Sequence, residues 1–198
     1  MLNGRVLQLH HPDGQVFRFD PGSLAFAFSV TGAPFNSDWF ETLREPMDLK
    51  RWAADVLGAI GVRATASSVP EAKRLRAAIW NVAEAVIDGR AVPASDRTTL
   101  NRFAAPPGLV PRLDPDGARS WEPSAEVSAL FSTIARDMIE VGTGPLASRI
   151  RRCQGVNCAI PFVDTSRPGT RRWCSMDRCG NRAKVAAHRR RHRHEVRT

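Results

Sequence analysis

The sequence predicts a mainly α protein: a multihelical N-terminal domain with small β-hairpins over residues 1–148, then a small four-cysteine unit of hairpin and helix over 149–198. Three observations carry this expectation. Apolar residues recur at helical spacing in several segments bounded by capping or breaking residues. Asp-Gly turns sit between short apolar runs. All four cysteines fall within the last fifty residues, as two pairs with four residues inside each pair and fifteen between them.

In chain order, residues 5–20 read as a hairpin, with Val6, Leu7 and Leu9 before Pro12-Asp13-Gly14 and Val16, Phe17 and Phe19 after it. From Leu24 to Thr31 the larger apolar residues alternate, and periodicity taken alone favours a strand. Asp48 to Ala59 is expected to be helical, because Leu49, Trp52, Ala53, Val56, Leu57 and Ile60 make one apolar stripe. Ser68-Val69-Pro70-Glu71 matches a capping box, and the helix it opens should run to Asp88 and stop at Gly89. Shorter helices are expected over Ser95–Ala104, before Pro106-Pro107, and as one turn over Leu146–Ile150. A second hairpin is expected around Asp114-Pro115-Asp116-Gly117, and a long helix from Ser124 to Val141.

Cys153 and Cys158 form the first knuckle, and Cys174 and Cys179 the second. Four thiolates so spaced can converge on one tetrahedral ion, since each knuckle presents two sulfurs and the segment between folds back. With four protein sulfurs such a zinc has no open position for water, so its role is structural. Two disulfides are the alternative for four cysteines. They suit a secreted protein, whereas Met1-Leu2-Asn3-Gly4-Arg5 begins no signal-peptide pattern. Between the knuckles, Ile160, Phe162 and Val163 should form one strand and Arg171 to Trp173 the other, turning through Arg167-Pro168-Gly169-Thr170. Ile160, Phe162 and Trp173 are then candidates for a small core under the metal.

Charge is concentrated in the same region. The whole chain carries a net +9, but residues 149–198 hold +11 and residues 1–148 hold −2. Arg outnumbers Lys by 13 to 1 in this tail, and its planar fork suits phosphates and guanine edges. A polyanionic partner is therefore expected, with nucleic acid the best fit. The tail lacks the large aliphatic residues that an interfacial membrane helix inserts, and no apolar run is long enough to span a bilayer. A cytoplasmic protein, nucleoid-associated if it binds DNA, is the expectation.

Cys179-Gly180-Asn181-Arg182, together with Phe162-Val163-Asp164-Thr165-Ser166 and Arg171-Arg172-Trp173-Cys174-Ser175-Met176, resembles the CGNR zinc finger over roughly 149–194. In that family the finger usually follows an ABATE domain, described as a putative stress-induced transcription regulator. The resemblance implies one bound zinc, a treble-clef or zinc-ribbon-like unit, and DNA binding. It also bears on residues 24–31, which sit where ABATE domains have a helical stretch ending in Asn-Thr. Here Thr31 follows Val30 and that Asn is absent, so helix and strand both stand for this segment.

The residues expected to touch nucleic acid are Arg171, Arg172, Arg182, Lys184, Arg189, Arg190, Arg191 and Arg193, with one of Arg171 and Arg172 pointing outward. Arg182, Arg189 and Arg193 are spaced to share a helical face. Gly180 and Asn181 are expected to shape the turn into that helix, Gly180 by letting the chain pass close to the ion and Asn181 by bridging loop and helix. RNA or ribosome association, a basic protein-interaction module and a thiol sensor that loses zinc on oxidation are the competing readings. A homodimer on two half-sites and a small-molecule effector in the helical domain are further expectations. His10, His11, His188 and His192 are not required for the four-sulfur site. No nucleophile, base and orienter come together in the sequence, so no enzymatic activity is expected.

Overall fold

The computed structural model describes residues 6–32, 40–58 and 60–195, with side chains through Arg191. Strands β1 (Leu7–His10) and β2 (Val16–Phe19) form an antiparallel hairpin pairing Leu7 with Phe19. Helix α1 (Leu24–Ser29) follows, and all six of its residues are buried. This resolves the segment as a helix and overturns the strand that alternation favours. Burial on every side removes the information that periodicity carries, and the interleaved Ala25 and Ala27 suit a helix. The Ser23 hydroxyl accepts from the Phe26 amide at 3.2 Å and the Asp137 carboxylate from the Ala25 amide at 2.8 Å. Both satisfy donors at the free N-terminus of α1.

Helix α2 (Pro46–Leu57) buries Leu49, Ala53 and Val56. It ends at Gly58 rather than Ala59, which lies outside the described residues. Its start is fixed by Asp48, whose carboxylate accepts from the Arg44 and Glu45 amides at 2.8 and 2.9 Å. Helix α3 (Ser68–Ile87) is the longest and lies against α1. The capping box expected from Ser68 and Glu71 does not form: the Ser68 hydroxyl accepts from the Thr65 amide at 3.0 Å, while Glu71 pairs with Arg74 and Arg102. Helix α4 (Ala94–Ala104) and helix α5 (Val127–Thr143) complete the body. Phe26, Phe28, Leu49, Leu75, Ile79, Leu130, Ile134 and Met138 are fully buried between them.

Three short pairings frame these helices. Strand β3 (Gly61–Arg63) runs parallel to β6 (Ser124–Glu126), whereas the intervening β4 (Pro111–Leu113) and β5 (Arg119–Trp121) form the expected second hairpin. The helix expected from Ser124 therefore begins at Val127. Its first three residues are recruited as a strand by a partner sixty-three positions away in sequence. After α5 a 3₁₀ turn (Ala147–Arg149) leads into β7 (Ile150–Arg152), which pairs antiparallel with β8 (Pro161–Val163).

This pairing corrects the expected finger hairpin. The partner of β8 is β7, not Arg171–Trp173, which contributes one ladder-like bond, from the Gln154 amide to the Arg172 carbonyl at 3.0 Å. The first cysteine knuckle is thus the loop of the hairpin itself. Downstream, a π-turn (Met176–Gly180) runs directly into helix α6 (Asn181–Glu195). The finger is thus a hairpin that carries the first knuckle in its loop, followed by the second knuckle and helix α6.

The finger is seated on the helical body. Ile150 and Val163 are buried in the main core. Arg152 makes a paired contact with Glu84 and reaches Asp88 at 3.2 Å, both on α3. The β1–β2 hairpin, although it begins the chain, packs Phe17 and Phe19 into one cluster with Phe162 and the cysteines.

Candidate metal centre

The four sulfurs lie within 4.8 Å of one another, with three of the residues buried and Cys158 half-buried. Cys158 Sγ to Cys174 Sγ and Cys174 Sγ to Cys179 Sγ are each 3.7 Å. A tetrahedron with metal–sulfur bonds of about 2.3 Å has sulfur–sulfur edges of about 3.8 Å. A disulfide needs about 2.05 Å, and all four cysteines are free. The arrangement therefore fits one zinc ion and not two covalent bridges.

The backbone around the sulfurs is shaped for the same purpose. Cys153 Sγ accepts from the Gly155 amide at 3.4 Å and the Cys174 amide at 3.3 Å, bonds that orient and partly neutralise a thiolate. A Cβ on Gly155 would stand 2.8 Å from Cys179 Sγ, so the glycine that admits the chain next to the metal site is Gly155. Sequence reasoning assigned that role to Gly180. A Cβ at Gly180 meets instead the Met176 thioether at 2.7 Å and Trp173 at 3.4 Å. Asn157 takes φ +58 at the knuckle tip, a left-handed conformation that Asn tolerates better than most residues. The sulfurs share protons tightly: bonds from Cys158, Cys174 and Cys179 push the Cys153 thiol far down, and bonds from Cys153 first push the Cys174 thiol far up.

Phe162 is fully buried and Trp173 half-buried in the cluster that supports this site. Arg171 lies over the Phe162 ring at 4.2 Å. Its guanidinium donates to the carbonyls of Asp20, Trp173 and Cys174 at 2.9, 2.9 and 2.5 Å. Arg171 is therefore engaged by backbone carbonyls and an aromatic ring of the protein itself. Arg172 is the outward member of the pair. It is exposed, donates to Gln154 Oε1 at 2.7 Å and stacks over Trp173 at 5.0 Å.

Two residues that shape the finger escaped sequence reasoning. Asp164 is fully buried and accepts from the Ser166 amide, the Ser166 hydroxyl and the Arg171 amide at 3.0, 2.6 and 2.7 Å. Burial opposes its charge, but those bonds, with Ser166 foremost, hold its carboxyl below the usual range. Arg178, between the second pair of cysteines, is buried and joins Asp13 at 3.0 Å and Gln15 at 2.5 Å on the N-terminal hairpin. Arg178 also sits over Phe17 at 5.6 Å. The Phe162-to-Ser166 motif offered a signal for Asp164, but no local pattern links Arg178 to a hairpin 165 residues earlier.

Helix α6 carries the remaining candidates. Arg182, Lys184, Arg189, Arg190 and Arg191 are exposed, and only Ala183 and Ala187 are half-buried among its described side chains. The side chain of Arg193 lies outside the described residues. Asn181 Nδ2 donates to the Asp177 carbonyl at 3.3 Å, bridging the π-turn and the helix.

Two family models match this chain. One, described as the CGNR zinc finger, covers residues 149–192. The other, ABATE, described as a putative stress-induced transcription regulator, covers residues 22–145, more than half of the sequence. The chain belongs to the ABATE family. No curated protein matches it. The ABATE match spans α1 through α5 and stops before the finger, while the β1–β2 hairpin lies outside both matches. In space that hairpin is nevertheless part of the CGNR finger's core. Among the described residues no helix is long and apolar enough to cross a membrane.

Proposed function

We propose that the protein is a zinc-dependent, DNA-binding transcription regulator whose CGNR finger presents α6 to duplex DNA, with the ABATE body serving as an effector or partner module. The observation that carries the reading is the exposure of α6. Its five described cationic side chains all face solvent, although the helix is anchored at its start by Cys179 and Asn181. A helix polar all round has no apolar face to bury, so it is not built to support the core. Its partner is a surface of opposite charge and regular spacing, which describes a phosphate backbone. The reading puts the protein in the cytoplasm, on nucleoid DNA, with a homodimer supplying two half-sites.

Titration of a random-sequence duplex at several salt concentrations tests this. With about five phosphate contacts the slope of log affinity against log salt is about −4.5. Charge reversal of Arg189, Arg190 and Arg191 together should abolish most of the binding. Absence of binding at low salt, or unchanged binding by that variant, would refute the reading. Preference for a structured RNA competitor over the duplex would reassign the same surface to RNA.

A further inference from the structure

A recess of about 610 Å³ opens where the N-terminal hairpin meets the finger, on the side where the π-turn enters α6. Arg18, Asp20, Thr170, Arg172, Trp173 and Asp177 line it. Asp177 holds the first residue of α6 through its carbonyl, so the recess borders the start of that helix. The charges within it are unequal in their freedom. Asp20 faces Arg171 at 3.9 Å and accepts from Thr165. Arg18 projects from β2, is exposed, and has no hydrogen-bonding or acidic side-chain partner among the described residues. Arg172 likewise has no acidic partner among them, and its guanidinium is already oriented by Gln154 and the Trp173 ring.

We infer that this recess is a second contact for the nucleic acid, in which Arg18 and Arg172 grip the phosphodiester backbone beside the strand segment met by α6. The inference rests on the reading of α6 as a nucleic-acid contact, and it extends the interface onto a hairpin that neither family match covers. Two guanidiniums without carboxylate partners among the described residues, both lining this groove, match successive phosphates better than a neutral ligand. The Thr170 hydroxyl adds a neutral donor of the kind that phosphate oxygens accept. Asp177, in the π-turn, also lines the groove, and its carboxylate disfavours a phosphate beside it. Because Arg172 is held by an aromatic ring and an amide, little side-chain freedom is lost when a phosphate arrives.

The test is the salt dependence of duplex binding by the full zinc-loaded chain, with Arg18→Gln, Arg172→Gln and the double variant. Each single change should reduce the steepness of the log–log slope by about 0.9, and the double change by about 1.8, with weaker binding at every salt concentration. Zinc content and far-ultraviolet circular dichroism should stay as in the parent, which separates lost contact from lost fold. If both slope and affinity match the parent while charge reversal of Arg189 to Arg191 abolishes binding, the recess is no contact and the reading of α6 survives. If the parent chain binds no duplex at 50 mM salt, both fall together.

Discussion

Arg178 shows how single residues decide this architecture. Its buried guanidinium meets Asp13 and holds that carboxyl at about 2, chiefly through the hydrogen bond from Arg178 and then the Gln15 amide. A depressed value favours folding when the group is ionised. The coupling is therefore complete above the ordinary carboxylate value of 3.8 and is lost as pH falls through about 2. Carboxyl carbon shifts followed against pH should place the Asp13 midpoint near 2 in the parent and return it toward the ordinary range in Arg178→Gln. Asp164 obeys the same sign, so the finger should loosen below the usual carboxylate range before the apolar body does. At the metal site, Gly155→Ala places a methyl against Cys179 Sγ. A loss of about tenfold or more in zinc affinity is expected, read by chelator competition. Phe162→Ala removes a ring that packs in the cysteine cluster and carries the Arg171 guanidinium on its face. It should cost about 3–5 kcal/mol in denaturant unfolding of the zinc-loaded protein. The sulfurs themselves were fully legible in the sequence, because chelation is written in spacing and residue type. Arg178 and Arg171 were not legible, since an arginine in an arginine-rich segment gives no local sign of whether it faces phosphate or carbonyl.

The same contrast holds for elements. Helices α2, α3 and α4 and the β1–β2 and β4–β5 hairpins followed from stripes and turns, with ends displaced by one or two residues. Segments whose partner is distant did not. Ser124 to Glu126 has a good helix start by composition, yet Gly61 to Arg63 draws it into a parallel pair. Helix α1 alternates like a strand because every side of it is covered. Helix α6 is the opposite case, an element whose composition is plain and whose packing is nearly nil. Arg189 and Arg193 stand four apart in this helix, a spacing at which like charges destabilise it. Neutralisation should therefore tighten the helix. Ellipticity at 222 nm is expected to deepen when duplex DNA is added, and to stay flat in the variant with Arg189, Arg190 and Arg191 reversed.

For the whole molecule, the finger and the helical body share side chains rather than merely touching. Ile150 and Val163 belong to the main core, and Arg152 ties β7 to Glu84 and Asp88 of α3. Zinc in small fingers supplies about 10–16 kcal/mol of apparent binding free energy. Its removal should therefore unfold residues beyond the knuckles. A chelator is expected to expose the amides of the β1–β2 hairpin to hydrogen exchange along with those of the finger, since Phe17 and Phe19 have their packing there. The inner faces of α1, α3 and α5 should keep their protection, because Phe26, Leu75 and Ile134 are buried away from the sulfurs.

The bond from Arg178 to Asp13 closes a loop of 165 residues. While the chain is being made, the β1–β2 hairpin emerges from the ribosome long before Phe162 and the cysteines that complete the cluster around Phe17 and Phe19. That cluster is complete only once the second cysteine knuckle has been synthesised. Docking of this hairpin therefore joins an early-made segment to a late one, and a nascent chain stalled before Cys174 should be held by chaperones through that hairpin.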